Sequence, residues 1–308
     1  MTALSHLQSV LEQGHFAVTA EIGPPMSANV NLIRQKAGYY NGYVDAANIT
    51  DNQSAVVRMS SIATAAIVQQ EGVETVFQMT CRDRNRIALQ SDILGAAGLG
   101  LKNLLCLSGD HQSFGNDPQA KNVYDLDSIQ LIHTVKGMRD DKRFINGKEI
   151  KTEPQVFIGA AAHPFAQPTE LYLISMGKKI AAGAQFFQTQ AIFDVEGFGN
   201  WMKAVRGMGY HKQTYILAGI IPIKTARSLK IMNDTVAGIR IPPDLIKRMD
   251  SADNQGEEGM RITLEIIEAV RKIDGVVGIH LMPVSSEQIT PAVVERAGLY
   301  PRPQVEVQ

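Results

Sequence analysis

One pattern recurs along the chain: a short apolar or β-branched run followed by a stretch with helical periodicity. The runs are Phe16–Ile22, Tyr43–Thr50, Thr75–Cys81, Asn103–Ser108, Gln155–Ala162, Gln185–Ala191, Thr214–Ile223 and Val276–Met282. Successive runs start 27, 32, 28, 52, 30, 29 and 62 residues apart. Five of the seven intervals match the roughly 30 residues of a βα unit, and the spacing never shortens to that of hairpins. Many runs are apolar without strict alternation, as parallel strands covered on both faces should be. Eight such units predict an α/β fold, a (β/α)8 TIM barrel with extra helices, occupying residues 1–308 as one domain. A doubly wound open sheet is the alternative.

The two long intervals have separate readings. His111–Asp127 is rich in Gly, Asn, Asp and Pro and reads as a long loop. After it, Asn146-Gly147 sits between apolar Phe144/Ile145 and Ile150, a hairpin signal. Before the last run, Arg261–Ile273 places Ile262, Ile266, Ile267, Val270 and Ile273 on one helical stripe, and Gly275 follows as a stop. At the start, Leu4, Leu7, Val10 and Leu11, with Gly14 behind them, suggest a helix plugging one barrel end.

Charge and motif content exclude several classes. Thirty Lys+Arg against 31 Asp+Glu give a net charge of −1, so no global field exists to hold nucleic acid or an anionic membrane surface. No apolar run approaches the ~20 residues of a membrane span, and no basic segment precedes an apolar one at the amino terminus. A cytosolic location is expected. Cys81 and Cys106 lie in apolar runs with no CxxC, too few to hold a zinc or an iron–sulfur cluster. P-loop, GxGxxG, HExxH and GxSxG motifs are all missing, and no metal site is expected.

A barrel of this kind builds its active site at the carboxyl ends of its strands. Those ends carry Glu21, Thr50-Asp51, Thr80 to Asp83, Gly109-Asp110-His111, His163-Pro164, Gln188 and Gln190, Pro222, and His280 with Met282. Glu21 lies in AEIGPP with no cation nearby in sequence. Such surroundings would desolvate the carboxylate and raise its pKa, suiting it to give up a proton near neutrality; a helix-capping or ion-paired glutamate is the alternative. Asp110 leaves its run through a Ser-Gly turn; on its own this reads first as an Asx turn or helix cap, with close ligand approach at Gly109 as the other reading. Gln188 and Gln190 would share a strand face, where buried amides demand partners, whether a polar heterocycle or another side chain. Lys178-Lys179 alone reads as a solvated helix face.

Taken together, TAEIGPP (19–25), TCRDRNR (80–86), LCLSGDH (105–111), AAAHPFAQP (160–168), AGAQFFQTQAIFD (182–194), AGIIPI (218–223) and IRIPPDL (239–245) resemble the methylenetetrahydrofolate reductase family. The likeness runs from about residue 16 to residue 300. It is strongest to the short bacterial catalytic-domain form, in the branch serving acetyl-CoA-pathway one-carbon metabolism. The resemblance implies a barrel carrying FAD, with FMN as the alternative, that reduces 5,10-methylenetetrahydrofolate to 5-methyltetrahydrofolate. Glu21 matches the acid that protonates N10, so that an N5 iminium accepts hydride from reduced flavin. Asp110 matches the aspartate near the flavin pyrimidine edge and the pterin, and Gln190 the glutamine that contacts folate. Thr50, His163 and Lys179 fall where the family contacts the flavin. Lys178 stands for a usual Arg, and Gln78 for a frequent His among the flavin contacts. The implied partners are methylenetetrahydrofolate, NAD(P)H or an iron–sulfur electron-donor subunit, and further copies of the chain. The donor is left open because HLMPVSS (280–286) replaces a YTLNR-like segment and carries no Arg. A pterin-binding barrel methyltransferase without flavin, or a flavin-bearing scaffold subunit, are the competing functions.

Overall fold

Each of the eight runs forms a strand in the computed structural model, which describes residues 3–236 and 238–306. They are β1 (Ala17–Ile22), β2 (Ala46–Ile49), β3 (Thr75–Thr80), β4 (Asn103–Leu107), β5 (Phe157–Ala162), β6 (Phe186–Ala191), β7 (Tyr215–Ile220) and β8 (Val276–Leu281). All pair in parallel with their sequence neighbours, and β8 returns to β1, closing the barrel. The second strand starts three residues later than its apolar run. The backbone N–H groups of Tyr43 and Val44 instead donate to Tyr40 O, closing the preceding helix.

The helices among the described residues are α1 (His6–Glu12), α2 (Val30–Tyr40), α3 (Ser61–Gln70), α4 (Arg86–Gly98), α5 (Ser128–Asp140), α6 (Thr169–Ala182), α7 (Val195–Gly207), α8 (Ala226–Thr235), α9 (Pro243–Asp250), α10 (Gln255–Arg271) and α11 (Thr290–Arg296). Ile262, Ile266, Ile267 and Val270 of α10 are buried as expected, Ile273 lies half-buried past the helix end, and the helix begins earlier. Asn254 caps it by accepting from the N–H groups of Gly256 and Glu257.

Alternation along the strands separates two cores. Val18, Ala20, Ile22, Ala47, Ile49, Phe77 and Met79 pack outward against the helices. Ala17, Ala46, Val76, Leu105, Phe157, Phe186 and Leu217 fill the amino-terminal end of the barrel, where Leu7, Val10 and Leu11 of α1 cover them as the expected plug. Phe157 and Phe186 stack there at 4.9 Å.

Two local expectations need correction. Asn146-Gly147 does not form the central pair of a hairpin turn. Gly147 N–H donates to Phe144 O and Gly147 alone takes a positive φ of 84°, so the turn spans 144–147 and closes on a single antiparallel bridge, Arg143 to Glu149. Strict alternation also breaks in β6, where the register against β7 shifts between Gln188 and Ala191. Gly219 admits this bulge: a Cβ there would stand 2.2 Å from Thr189 O.

Candidate functional site

The carboxyl ends of the strands surround a cavity of about 270 Å³ whose lining includes Glu21, Thr50, Gln78, Asp110, His163 and Lys179. A second hollow of about 210 Å³ continues it, sharing Ser108, Ser128, Ala161, His163 and Lys179 and ending on Tyr172 and Trp201. Two larger grooves, about 1050 and 1000 Å³, lie on the outer helical layer and touch none of the strand ends. Volume alone would pick those grooves; convergent polar groups pick the mouth.

Beneath this cavity, inward positions that were apolar at the plugged end become polar. Thr19 of β1, Asn48 of β2, Gln188 of β6 and His280 of β8 are each 3% exposed or less. Asn48 Nδ2 donates to Gln188 Oε1 at 2.6 Å, and Gln188 Nε2 donates back to Asn48 Oδ1 at 2.9 Å. Gln188 Nε2 also donates to Thr19 Oγ1 at 3.0 Å, and Thr19 Oγ1 lies 2.9 Å from His280 Nδ1. The ring's other nitrogen, Nε2, stands 3.5 Å from Glu21 Oε1. The amide of Gln188 is therefore satisfied by the protein rather than left for a ligand.

Glu21 crowns this chain, its side chain 15% exposed. Gln78 Nε2 donates to the same Oε1 at 3.5 Å, and Tyr40 Oη donates to the backbone carbonyl of Glu21 at 2.5 Å. The apolar, cation-free setting read from AEIGPP describes its sequence neighbours, which turn outward. The carboxylate itself faces an imidazole and an amide brought from other strands.

The next layer fixes the loops. Asp51, fully buried, accepts from the N–H and Oγ1 of Thr80 at 2.9 and 3.0 Å and pairs with Arg84 at 2.6 Å, locking the end of β2 to that of β3. Arg82, 3% exposed, donates to the backbone carbonyls of Asp110 (3.0 Å) and Asn52 (3.2 Å) and pairs with Asp83. Its hydrogen bond to Asp83 raises the guanidinium's pKa further, so this anchor stays charged. The 111–127 loop packs on the turn after β2. A Cβ at Gly115 would meet Ala55 O at 1.8 Å, and Asn116 Oδ1 accepts from Val57 N–H.

Thr50 is buried, yet among the described residues its Oγ1 has no hydrogen-bond partner, and the residue lines the cavity. Lys179 donates its Nζ to Ala161 O at 2.8 Å, and among the described residues no carboxylate lies within ion-pair distance. Burial lowers its pKa. His163 stands at the rim with one side open, its ring 6.2 Å from that of Tyr172; packing on the inner side, then the Lys179 charge, lower its pKa. Cys106 also lines the cavity, but burial pushes its thiol well up and that of Cys81 to about 12, so neither is a thiolate nucleophile.

Two expected residues are not brought to this group. Lys178 is exposed and lines an outer groove between α5 and α6, because neighbours on a helix diverge by about 100° and Lys179 takes the inward position. Gln190, half-buried within the bulge, turns its Oε1 back to Ala191 N–H. Asn48 and Thr19 draw no attention as single residues, and Arg82 is read only as one of the strand-end residues 80–83, not as a backbone anchor. The signal for the first two was the unusual polarity of inward positions on β-branched runs.

The family model described as methylenetetrahydrofolate reductase matches residues 6–298. The chain belongs to that family. Membership makes it an oxidoreductase that reduces methylenetetrahydrofolate. It is 24% identical over 239 residues to the 5,10-methylenetetrahydrofolate reductase of Pectobacterium carotovorum subsp. carotovorum, covering 76% of this chain and 73% of that one. To the Escherichia coli (strain K12) enzyme of the same name it is 23% identical over 304 residues, 96% and 95% of the two chains. A solved structure of a Clostridium thermocellum protein, described as binding two copies of 5-methyl-5,6,7,8-tetrahydrofolic acid, superposes with a TM-score of 0.64 at 14% identity, covering 94% of this chain and 96% of that one. That likeness is one of fold.

Proposed function

We propose that this chain converts 5,10-methylenetetrahydrofolate to 5-methyltetrahydrofolate at the carboxyl mouth of its barrel, with a flavin, FAD or FMN, as resident cofactor and Glu21 as general acid. The observation that carries the reading is the meeting of Glu21, Thr50, Gln78, Asp110, His163 and Lys179, from five different strand ends and α6, around one cavity. The residues suit a flavin. The unpartnered Thr50 hydroxyl asks for a polar ring atom, and the carboxylate-free Lys179 asks for an anion such as a phosphate. The two connected hollows together fall within the about 300–1,000 Å³ of small-molecule sites.

Thr50 and Gln78 would hold the ring system, and His163 and Lys179 the ribityl–phosphate arm. When bound, the flavin supplies the hydride. Everything else falls to the protein. Glu21 gives its proton to N10 of the folate, which opens the five-membered ring and leaves the N5–methylene unit as an iminium, a far better hydride acceptor than the closed aminal. Asp110, exposed in the cavity wall and fixed through its backbone by Arg82, provides a negative charge that favours this cation. Gln190, whose Oε1 accepts from Ala191 N–H, would turn its amide towards the mouth to meet the folate edge.

Replacing Glu21 with Gln tests the reading. Folate binding should persist while methyltetrahydrofolate formation falls by about 10²–10⁴-fold, the usual worth of a positioned acid. Turnover near the original rate with folate still bound would remove Glu21 from the chemistry.

A further inference from the structure

Gln188 and Asn48 are buried below the cavity and line none of it, yet both protons and the oxygen of the Gln188 amide are engaged by other side chains of the barrel. We propose that this amide pair is a positioning device: it fixes which nitrogen of His280 carries the proton, and thereby which oxygen of Glu21 is free to transfer one. The last step rests on the acid role given to Glu21; the first does not.

The argument follows hydrogen atoms one at a time. Asn48 and Gln188 satisfy each other reciprocally, Nδ2 to Oε1 at 2.6 Å and Nε2 to Oδ1 at 2.9 Å. That consumes one of the two protons on Gln188 Nε2, and the other goes to Thr19 Oγ1 at 3.0 Å. The hydroxyl has a single proton of its own. Its candidate acceptors are His280 Nδ1 at 2.9 Å and Ile279 O at 3.5 Å, and the shorter contact takes it. A neutral imidazole that accepts at Nδ1 carries its proton on Nε2. That nitrogen faces Glu21 Oε1 at 3.5 Å, the oxygen that also accepts from Gln78. Among the described residues no side chain or backbone donor reaches Glu21 Oε2. Gln78 Nε2–H thus donates to one oxygen and His280 Nε2–H faces the same one, so the transferable proton belongs on the other.

Direction is the essence of the device. The relay spans β2, β6, β1 and β8, so every link crosses between strands and is held by the closed barrel rather than by any loop. Thr19, Asn48 and Gln188 each act through the next residue and none reaches the substrate. A hydrophobic residue at 188 would leave the threonine hydroxyl free to turn. An acceptor there would reverse the relay.

Gln188→Glu has nearly the same shape and places a carboxylate oxygen where Nε2 now donates. Thr19 would then donate towards residue 188 and accept from His280 Nδ1–H. Nitrogen-15 NMR of the full chain, labelled at histidine and measured at neutral pH without folate, reads the tautomer directly. The wild-type His280 should carry its proton on Nε2. In Gln188→Glu the proton should move to Nδ1, or both nitrogens should be protonated. Should that variant fail to fold, Thr19→Val removes the link and should convert the single tautomer into a mixture. In turnover, Gln188→Glu should lower kcat about tenfold or more with folate affinity unchanged. A wild-type ring protonated on Nδ1 would overturn the proposal, as that is the result if both amides are turned over. So would a His280 signal indifferent to Gln188→Glu or Thr19→Val. Because the tautomer is read without substrate, the predicted tautomer in a protein that does not reduce folate would count against the acid role of Glu21 and not against the relay.

Discussion

Lys178 and Lys179 are adjacent in sequence and alike in chemistry, yet the helix sends them to different places. Lys179 is carried under the rim, where burial lowers its pKa and its single protein acceptor is a backbone carbonyl. An amine in that position gains most when an anion joins it, since a charge-assisted hydrogen bond contributes about 1.5–3 kcal/mol. Lys179→Met should therefore weaken flavin binding by roughly tenfold or more, measured by fluorescence titration of the cofactor-free protein. Lys178→Met should leave the same affinity unchanged, because Lys178 faces an outer groove. Equal effects of the two changes would contradict the assignment. The pair also shows where reading single residues stops. The run QFFQTQ announces amides that need partners, but those of Gln188, Asn48 and Thr19, lie 140 and 169 residues away in sequence, and only closure of the barrel brings them into reach. The same holds for Glu21, whose polar neighbours Gln78 and His280 come from β3 and β8.

At the scale of elements the sequence was far more legible. Strand identity follows from runs of β-branched and apolar residues, and their order from the βα spacing, because parallel neighbours must be joined by a crossover. Less legible were the places where backbone geometry decides: the bulge in β6 that Gly219 permits, and the 144–147 turn whose Gly147 takes the positive φ alone. The plug α1 was readable from Leu7, Val10 and Leu11, and it allows a test that separates stability from chemistry. Leu7 is fully buried against the amino-terminal core. Leu7→Ala removes its buried side-chain atoms and leaves a cavity, so it should cost about 2–5 kcal/mol, seen as a lower urea midpoint with an unchanged slope. Because α1 sits at the barrel end opposite Glu21, kcat at a temperature where the variant is folded should stay within about twofold of wild type, as expected when amino-end residues serve stability and carboxyl-end residues serve function. A large fall in kcat with little loss of stability would mean that the two ends are coupled.

The molecule as a whole is tied together at that plugged end by one buried carboxylate. Asp45, just before β2, accepts from Val18 N–H at 2.7 Å and from Arg302 at 3.1 and 2.6 Å, and His6 Nε2 approaches it at 3.6 Å. Arg302 also donates to Leu299 O and Phe16 O, both at 2.7 Å. Residues near both ends of the described chain thus meet on a single strand terminus, which orders α1 and the 299–302 segment together. Burial works to raise the pKa of Asp45, but the hydrogen bonds from His6 and Arg302 prevail and hold it below the usual range. The hydrogen bond to Asp45, acting against burial, raises that of His6. The sign of the resulting pH dependence follows by linkage. With the folded-state pKa of His6 above its unfolded value of about 6.5, the folded protein binds more protons between the two values. The stabilisation from His6 is therefore complete below about pH 6.5 and is lost as pH rises through the folded-state value. Asp45, shifted the other way, stays ionised throughout that window and is not its source. His6→Gln should accordingly lower Tm most at about pH 5–6, with the gap to wild type closing as pH rises towards about 8. A gap that is constant across this range, or that widens with pH, would show that His6 does not hold α1 to the barrel through its charge.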